Sequence, residues 1–385
     1  MSGAAPAEQS ASSRLLFVDW ARGAAYVLMV VAHVAPGDGP ARILLVSEFL
    51  TAPLFALLIG VGAQLSWSTS GEHGWRYVLR EAVRAALVIA LGLLLMQSAA
   101  SVLIVLVHLG VLMLLCLPLV RLRTTPLAVV AALALVLALA VPGLYRSLTG
   151  GHVAVTAASE PDAFITVLGL IGGTGGYRMT GFLLCAVLGM LTIRVLGNMS
   201  VAEWWRGALA SAAAFAVMLA LLVAPNLLGL YEVHAYDGTP SEQIGVATGA
   251  LGILLTMWTL QASPLGRALP SRVAQLLAAP GRAALALYTL QILVLHVYRV
   301  RNPLVRDDHW WMLALLIVLG VGFAMVWQTA FTAPLRRVPQ ARRWMRGPLE
   351  GLIREVQHLL APQPRHIIEV DGSARGGISS TFGTD

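Results

Sequence analysis

Residues 15–35 read LLFVDWARGAAYVLMVVAHVA, an apolar run that is interrupted by Asp19, Arg22 and His33. A helix that rises about 1.5 Å per residue needs about 20 apolar residues to cross a hydrocarbon layer of about 30 Å. Similar runs recur along the 385 residues, of which 58% are hydrophobic and only 12% are charged. This composition predicts an all-α, polytopic integral membrane protein.

The apolar runs predict about ten transmembrane helices when the sequence is scanned with a window of about 19 residues. Their expected positions are 15–35, 43–65, 83–99, 101–120, 126–145, 178–196, 207–226, 243–263, 281–300 and 310–332. The third and fourth runs touch almost without a loop.

The distribution of arginine predicts the orientation, because all 26 basic residues are arginines. With the N-terminus inside, the inner segments carry 19 arginines and the outer segments carry six. This excess indicates that both termini are cytoplasmic and that the chain is a multi-pass protein of the cell membrane. Because most arginines lie between or beside apolar runs, topology explains the net charge of +7 better than nucleic-acid binding does.

Four regions follow from composition. Residues 1–14 are small and polar, and we expect a disordered cytoplasmic N-terminus. Residues 15–332 form the transmembrane domain. Residues 333–360 are basic and predict an amphipathic cytoplasmic segment that contacts membrane lipid, and residues 361–385 are expected to form a disordered tail.

One face of the first predicted helix carries Asp19, Arg22, Tyr26 and His33, because successive residues rotate by about 100°. A polar stripe inside a bilayer must face protein or a water-filled cavity. Asp19 and Arg22 either form an ion pair that fixes the helix in the bundle, or they belong to a substrate path. We favour the path, because three functional residue types share the stripe.

The stretch FVDWARGAAYVLMVVAH resembles the first helix of the transmembrane acyltransferases, in which ten residues separate an arginine from a histidine. Here the pair is Arg22 and His33, and Asp19 completes a D-x-x-R-G pattern. The superfamily includes the acyltransferase-3 proteins and the heparan-α-glucosaminide N-acetyltransferase-like proteins. Two later stretches, GRAALALYTLQILVLH (281–296) and RGPLE (346–350), resemble the C-terminal region of its YeiB-like bacterial branch, whose function is undefined.

The resemblance implies an enzyme that passes an acyl group, acetyl above all, from cytoplasmic acyl-CoA to an extracytoplasmic glycan or lipid-linked acceptor. It implies catalytic roles for Asp19, Arg22 and His33. Arg22 would meet a phosphate or the pantetheine arm of acyl-CoA, and His33 would act as general base or carry the acyl group briefly. Acyl-CoA is then the co-substrate, and no metal is expected.

Five further residues are candidates for substrate binding: Tyr26, His108, Tyr288, Gln291 and Arg282. His108 is a lone histidine in the fourth predicted helix, where it is either functional or bonded to a backbone carbonyl. Tyr288 and Gln291 share a stripe of the ninth predicted helix, where they line the same cavity or form interhelical hydrogen bonds.

The remaining polar groups have simpler interpretations. Arg76, Arg80 and Arg84 share one helical face, which indicates anionic lipid and topology, with the phosphates of CoA as the alternative. Cys116 and Cys185 lie inside apolar runs and predict packing rather than a disulfide or a metal site. We interpret six outer side chains as solvated loop groups, with contact to an acceptor or orientation of His33 as the alternative: Glu48, Glu160, Asp162, Glu232, His234 and Asp237.

Two other function classes remain open. A transporter or flippase would use the polar stripe as a permeation path and would make no bond. Transporters often contain internal repeats and paired, interrupted spans. We find no clear repeat, and Pro53, Pro118 and Pro225 are not symmetrically placed. A membrane scaffold without chemistry would leave the polar stripe unexplained.

Overall fold

A computed structural model describes residues 16–37, 44, 46–69, 74–149, 171–172, 176–303, 305, 307–331 and 343–361. Every regular element in these residues is helical, which confirms the predicted all-α class. The expected disordered ends lie outside the described residues, except for Ala361. Residues 333–342 of the predicted basic segment also lie outside them.

Twelve helices of more than ten residues run through the described part of the chain. They are α1 (Leu16–Val34), α2 (Val46–Thr69), α3 (Trp75–Leu95), α4 (Leu106–Leu119), α5 (Thr124–Thr149), α6 (Met179–Asn198), α7 (Trp204–Met218), α8 (Pro240–Ala262), α9 (Ser271–Arg282), α10 (Ala284–Arg301), α11 (Trp310–Val326) and α12 (Pro348–Leu360). A π-helical turn, Leu219–Val223, extends α7 towards Leu227.

Seven stretches among the described residues are long and apolar enough to cross a membrane. They are Leu16–Val34, Val46–Thr69, Thr124–Thr149, Met179–Asn198, Val201–Leu227, Pro240–Ala262 and Trp310–Thr329. The pair α9 and α10 adds an eighth if its 59° bend lies within one broken span. These candidates fit a polytopic membrane protein, and α3 and α4 overlap the other two of the ten predicted spans.

Two predicted spans differ in detail from the structure. The fourth becomes helical only at Leu106, so α4 has 14 residues, about 21 Å at the usual rise. The ninth was predicted as one helix over 281–300, but the helix is broken at Ala283 and α9 precedes it. Short apolar runs and local bends of this kind depend on partners that are distant in sequence, which hydropathy does not detect.

The first helix lies at the centre of the bundle, where α1 packs against α2, α8, α9, α10 and α11. Its closest crossing is with α9, where Gly23 faces Gly281. A Cβ atom on Gly281 would overlap the carbonyl oxygen of Asp19. The absence of side chains at these two glycines therefore allows the two backbones to meet, and it brings the start of α1 next to Arg282.

Candidate functional site

A large cavity of about 690 Å³ opens beside the N-terminal half of α1, and we call it the inner cavity. Within the described chain, seven arginines and three carboxylates line it: Arg22, Arg80, Arg84, Arg282, Arg343, Arg346, Arg354, Asp19, Glu81 and Glu350. Apolar side chains from α2 and α4 line other parts of its wall. The lining is therefore strongly positive, as expected of a site for an anion.

Asp19 joins two of these arginines. Its Oδ1 atom lies 3.2 Å from Nη1 of Arg22, and its Oδ2 atom lies 3.2 Å from Nε of Arg282. Arg282 also donates to the side-chain oxygens of Gln275 and Gln328. The ion pair that we considered as the alternative to a substrate path is thus present in α1. One carboxylate serves two guanidiniums, however, so positive charge remains for a ligand.

The C-terminal segment supplies the cationic side chains Arg346 and Arg354. Burial and the nearby guanidiniums of Arg346 and Arg84 lower the pKa of Arg354 to about 10. Burial also lowers the pKa of Arg346. Both side chains still carry charge at pH 7, so the protein holds like charges together in a cavity that a bound anion would stabilise.

Two side chains of α12, Glu350 and Gln357, hold this helix beside the inner cavity. Oε1 of Glu350 accepts hydrogen bonds from the amide groups of Leu285 (2.8 Å) and Ala286 (3.2 Å), the first turn of α10. Nε2 of Gln357 donates to the carbonyl oxygen of Arg80 (2.9 Å). Burial raises the pKa of Glu350. The RGPLE stretch therefore caps the second half of the bent pair.

A second, smaller cavity of about 270 Å³ lies at the other end of α1, and we call it the outer cavity. Its polar and aromatic lining among the described residues includes His33, Glu48, Thr51, Tyr177, Tyr236 and Tyr288. Nδ1 of His33 lies 2.8 Å from Nε2 of Gln291, whose side chain is almost completely buried. An amide nitrogen can only donate, so this contact makes Nδ1 an acceptor and puts the proton of the neutral ring on Nε2. Oε1 of Gln291 is buried and has no hydrogen-bond partner among the described residues, and a half-turn of the amide would let it accept from Nδ1–H and leave Nε2 of His33 as a base.

The two cavities share part of their walls. Among the described residues, Phe55, Val105 and Tyr288 line both of them. The amide of Val105 donates to the hydroxyl oxygen of Tyr288 over 3.3 Å. Molecules in the two cavities would therefore both contact Tyr288.

The non-helical segment 96–105 forms one side of the outer cavity. The amide of Ala99 donates to Nδ1 of His296 (2.9 Å), and the hydroxyl of Ser101 donates to Oδ2 of Asp307 (2.8 Å). The hydroxyl of Tyr177 donates to the carbonyl oxygen of Leu103 (3.0 Å). Irregular backbone within a membrane bundle needs such partners or a cavity that it can line, and this segment has both.

The structure does not bring all the predicted residues together. Asp19, Arg22 and Arg282 line the inner cavity, His33 lines the outer cavity, and Tyr288 lines both, whereas Gln291 contacts His33 from behind. Two others lie elsewhere. The hydroxyl of Tyr26 donates to the carbonyl of Leu316 (2.9 Å). His108 packs edge-on to Tyr177 at 5.5 Å, and its buried Nδ1 has no hydrogen-bond partner among the described residues.

Comparison with protein-family models finds no match to this chain, and no curated protein matches it. Within the described residues, no group of three or more His, Cys, Asp or Glu side chains is placed to hold a metal ion.

Sequence reasoning did not identify Tyr177 and Tyr236, and for Glu48 it favoured a solvated loop charge over contact with an acceptor or with His33. We interpreted Glu48 as a solvated loop charge, but it belongs to α2 and lines the outer cavity. A carboxylate at the start of an otherwise apolar span is the signal that could have identified it. The two tyrosines lie on connections, where hydropathy gives no signal at all.

Proposed function

We propose that this chain is an acyl-CoA-dependent membrane acyltransferase that transfers an acyl group, acetyl above all, to an extracytoplasmic glycan or lipid-linked acceptor. One observation carries the proposal: an arginine-rich cavity and a cavity with a fixed histidine share a wall at Tyr288. The resemblance of the Arg22 to His33 spacing to the transmembrane acyltransferases supports the same reading.

The inner cavity suits the donor. Acyl-CoA carries phosphates on a long pantetheine arm, and guanidinium groups bind phosphate through paired, charge-assisted hydrogen bonds. In our proposal the phosphates contact Arg346, Arg354 and Arg84, while Arg22 contacts the arm. Apolar side chains such as Leu58 and Leu109 would then cover the arm up to the thioester at the shared wall.

The outer cavity suits the acceptor. An acceptor hydroxyl or amine adds to the thioester carbonyl, the carbon–sulfur bond breaks, and CoA leaves as the thiol. With Oε1 of Gln291 turned to accept from Nδ1–H, Nε2 of His33 either takes the acceptor's proton or attacks the thioester and carries the acyl group to the acceptor. Gln291 keeps the imidazole ring in place in both routes, because it holds the other ring nitrogen.

The proposal includes a membrane arrangement. The chain crosses the cell membrane ten times, and both termini are cytoplasmic. The crossings include α3, which carries charged residues, and α4, which has only 14 residues. The arginine excess supports this orientation, which turns the inner cavity towards cytoplasmic acyl-CoA. The basic α12 region would then lie at the anionic inner surface of the bilayer.

A transporter or flippase is the second candidate, because two cavities that meet at one wall also suit alternating access. The deciding experiment supplies purified protein in lipid nanodiscs with acetyl-CoA that is labelled in the acetyl group. We expect binding of acetyl-CoA, and transfer of the label to envelope extracts from cells that lack the gene. Mass spectrometry then identifies the labelled acceptor. Protein that binds no acetyl-CoA and transfers no label would favour the transporter.

A further inference from the structure

Four aromatic side chains contribute to the walls of the outer cavity, which has a volume of about 270 Å³. Phe55, Tyr177, Tyr236 and Tyr288 all line it. Tyr177 and Tyr236 are perpendicular, with their ring centres 5.7 Å apart. A ligand in this cavity therefore contacts several π systems.

The tyrosine hydroxyls are already bound to the backbone. Tyr177 donates to the carbonyl of Leu103 (3.0 Å), and Tyr236 donates to the carbonyl of Glu48 (3.1 Å). Tyr288 accepts from the amide of Val105. Tyr177 and Tyr236 therefore offer a ligand mainly their faces and edges, whereas Tyr288 only accepts, so its O–H group can still donate to a ligand.

Tyr236 is held in an uncommon backbone conformation, with φ at 67°. A bulky residue in the left-handed region is an outlier that the surrounding structure must enforce. The carboxylate of Glu242 accepts from the amides of Tyr236 (2.7 Å) and Gly238 (2.6 Å), and Arg178 donates to the carbonyl of Tyr236 (2.7 Å). Arg178 is itself paired with Glu242, so its charge is compensated near the cavity.

The cavity is anionic as well as aromatic. With histidine neutral, Glu48 is the one formal charge in its described lining, and its carboxylate forms no ion pair with the described residues. Asp307 adds a second carboxylate at the rim through its bond to Ser101. Aromatic faces beside a carboxylate attract cations, and a neutral polyol gains nothing from this charge.

We propose that the outer cavity binds a protonated primary amine, with Glu48 facing the ammonium group. This inference rests on the proposed function, and the two together make the protein an N-acyltransferase. One proton of the ammonium passes to His33 and from there to solvent, and a second proton later passes from the nitrogen to the leaving sulfur. The amine nitrogen adds to the thioester carbonyl, and the carbon–nitrogen bond forms as the carbon–sulfur bond breaks. The products are an amide, CoA thiol and one released proton.

The amine could belong to an amino sugar or to a lipid headgroup, and paired probes separate these sources. Full-length protein is placed in phosphatidylglycerol nanodiscs, which contain no amine. Calorimetry compares glucosamine with glucose, and ethanolamine with ethylene glycol, in the absence of acyl-CoA. We expect at least one amine to bind about tenfold more tightly than its neutral partner. The pair that shows the preference identifies the source.

Variants of Glu48 test the assignment. Glu48→Gln should abolish the preference for the amine, and Glu48→Asp should retain part of it. The matched control is Glu232→Gln, because Glu232 is an outer carboxylate that is 82% exposed and lies outside the cavity lining. If Glu48→Gln does not fold, Glu48→Asp and competition by tetramethylammonium still measure the cation site.

Two results distinguish this inference from the proposed function. Equal binding of amines and neutral partners, or label transfer to glucose at the rate seen with glucosamine, would overturn the amine site while leaving an acyltransferase. Selective amine binding by a protein that binds no acetyl-CoA would support the amine site and contradict the acyltransferase.

Discussion

Nε2 of Gln291 in α10 lies 2.8 Å from Nδ1 of His33 in α1, although 258 residues separate them along the chain. Gln291 is 1% exposed, so its contact with the imidazole is protected from water. Because of this contact, the imidazole of His33 has a fixed position in the wall of the outer cavity.

Gln291→Leu should lower the rate of acetyl transfer by about 10²-fold, because the imidazole of His33 loses the partner that orients it. Binding of acetyl-CoA should not change, since Gln291 lies outside the described lining of the inner cavity. Gln291→Glu, which keeps an oxygen for Nδ1–H, should restore part of the rate. Transfer and acetyl-CoA affinity are measured on the same preparation, and a loss of affinity in Gln291→Leu would contradict a positioning role.

His33→Ala should reduce transfer by about 10²- to 10⁴-fold. It should also destabilise the protein by about 1–3 kcal/mol, because the buried amide of Gln291 is left without a partner. His33→Gln can keep that hydrogen bond, so we expect normal thermal stability with transfer still lost. His234→Gln, at an exposed outer histidine, is the control. Transfer that survives both changes at His33 would favour the transporter.

Arg22→Lys should weaken acetyl-CoA binding about tenfold, because lysine keeps the charge but loses the planar fork of donors. The protein should still accumulate in the membrane. Arg76→Lys on α3 is the control, since Arg76 is exposed and lies outside the cavity lining. If Arg22→Lys and Asp19→Asn both fail to accumulate, then the ion pair of α1 is purely structural.

Glu350 predicts a pH dependence, because burial raises its pKa above the usual value of about 4.3. The folded protein keeps this proton at pH values where the unfolded chain has lost it. The free energy of unfolding therefore falls as the pH rises from the unfolded towards the folded pKa, and stays lower above it. Glu350→Gln keeps an acceptor for Leu285 and Ala286 without titrating.

Thermal unfolding of the two proteins between about pH 4 and about pH 8 measures this effect. The Tm of Glu350→Gln minus that of the wild type should be smallest at low pH and should increase with pH. A difference that is constant, or that decreases with pH, would contradict a buried carboxylate at the start of α10.

The orientation can be tested with single cysteines and an impermeant thiol reagent on intact cells. A cysteine at Glu232 should react from outside, whereas one at Glu72 should react only after the cells are opened. The native thiols of Cys116 and Cys185 are buried, so their background should be low. Reaction of the Glu72 variant alone in intact cells would invert the topology and place His33 on the acyl-CoA side.

Hydropathy and helical periodicity predicted much of this architecture. The apolar runs predicted an all-helical chain, and each of the ten runs overlaps a helix. Successive residues of a helix are rotated by about 100°, and this angle predicted that Asp19, Arg22 and His33 share one face of α1. In the structure all three residues line a cavity. These properties depend on neighbours within one helix, so they can be read from local sequence.

Tertiary packing decided the rest. Arginines from α1, α3, the α9–α10 bend and the C-terminal segment converge in the inner cavity, although hundreds of residues separate some of them. Packing likewise bound Gln291 to His33, fixed Tyr26 on Leu316 and made Glu48 part of a cavity wall. Such pairings depend on which helix faces can pack closely, as the faces of α1 and α9 do at Gly23 and Gly281. Periodicity within one helix shows which face is polar, but it does not determine which other helix that face contacts.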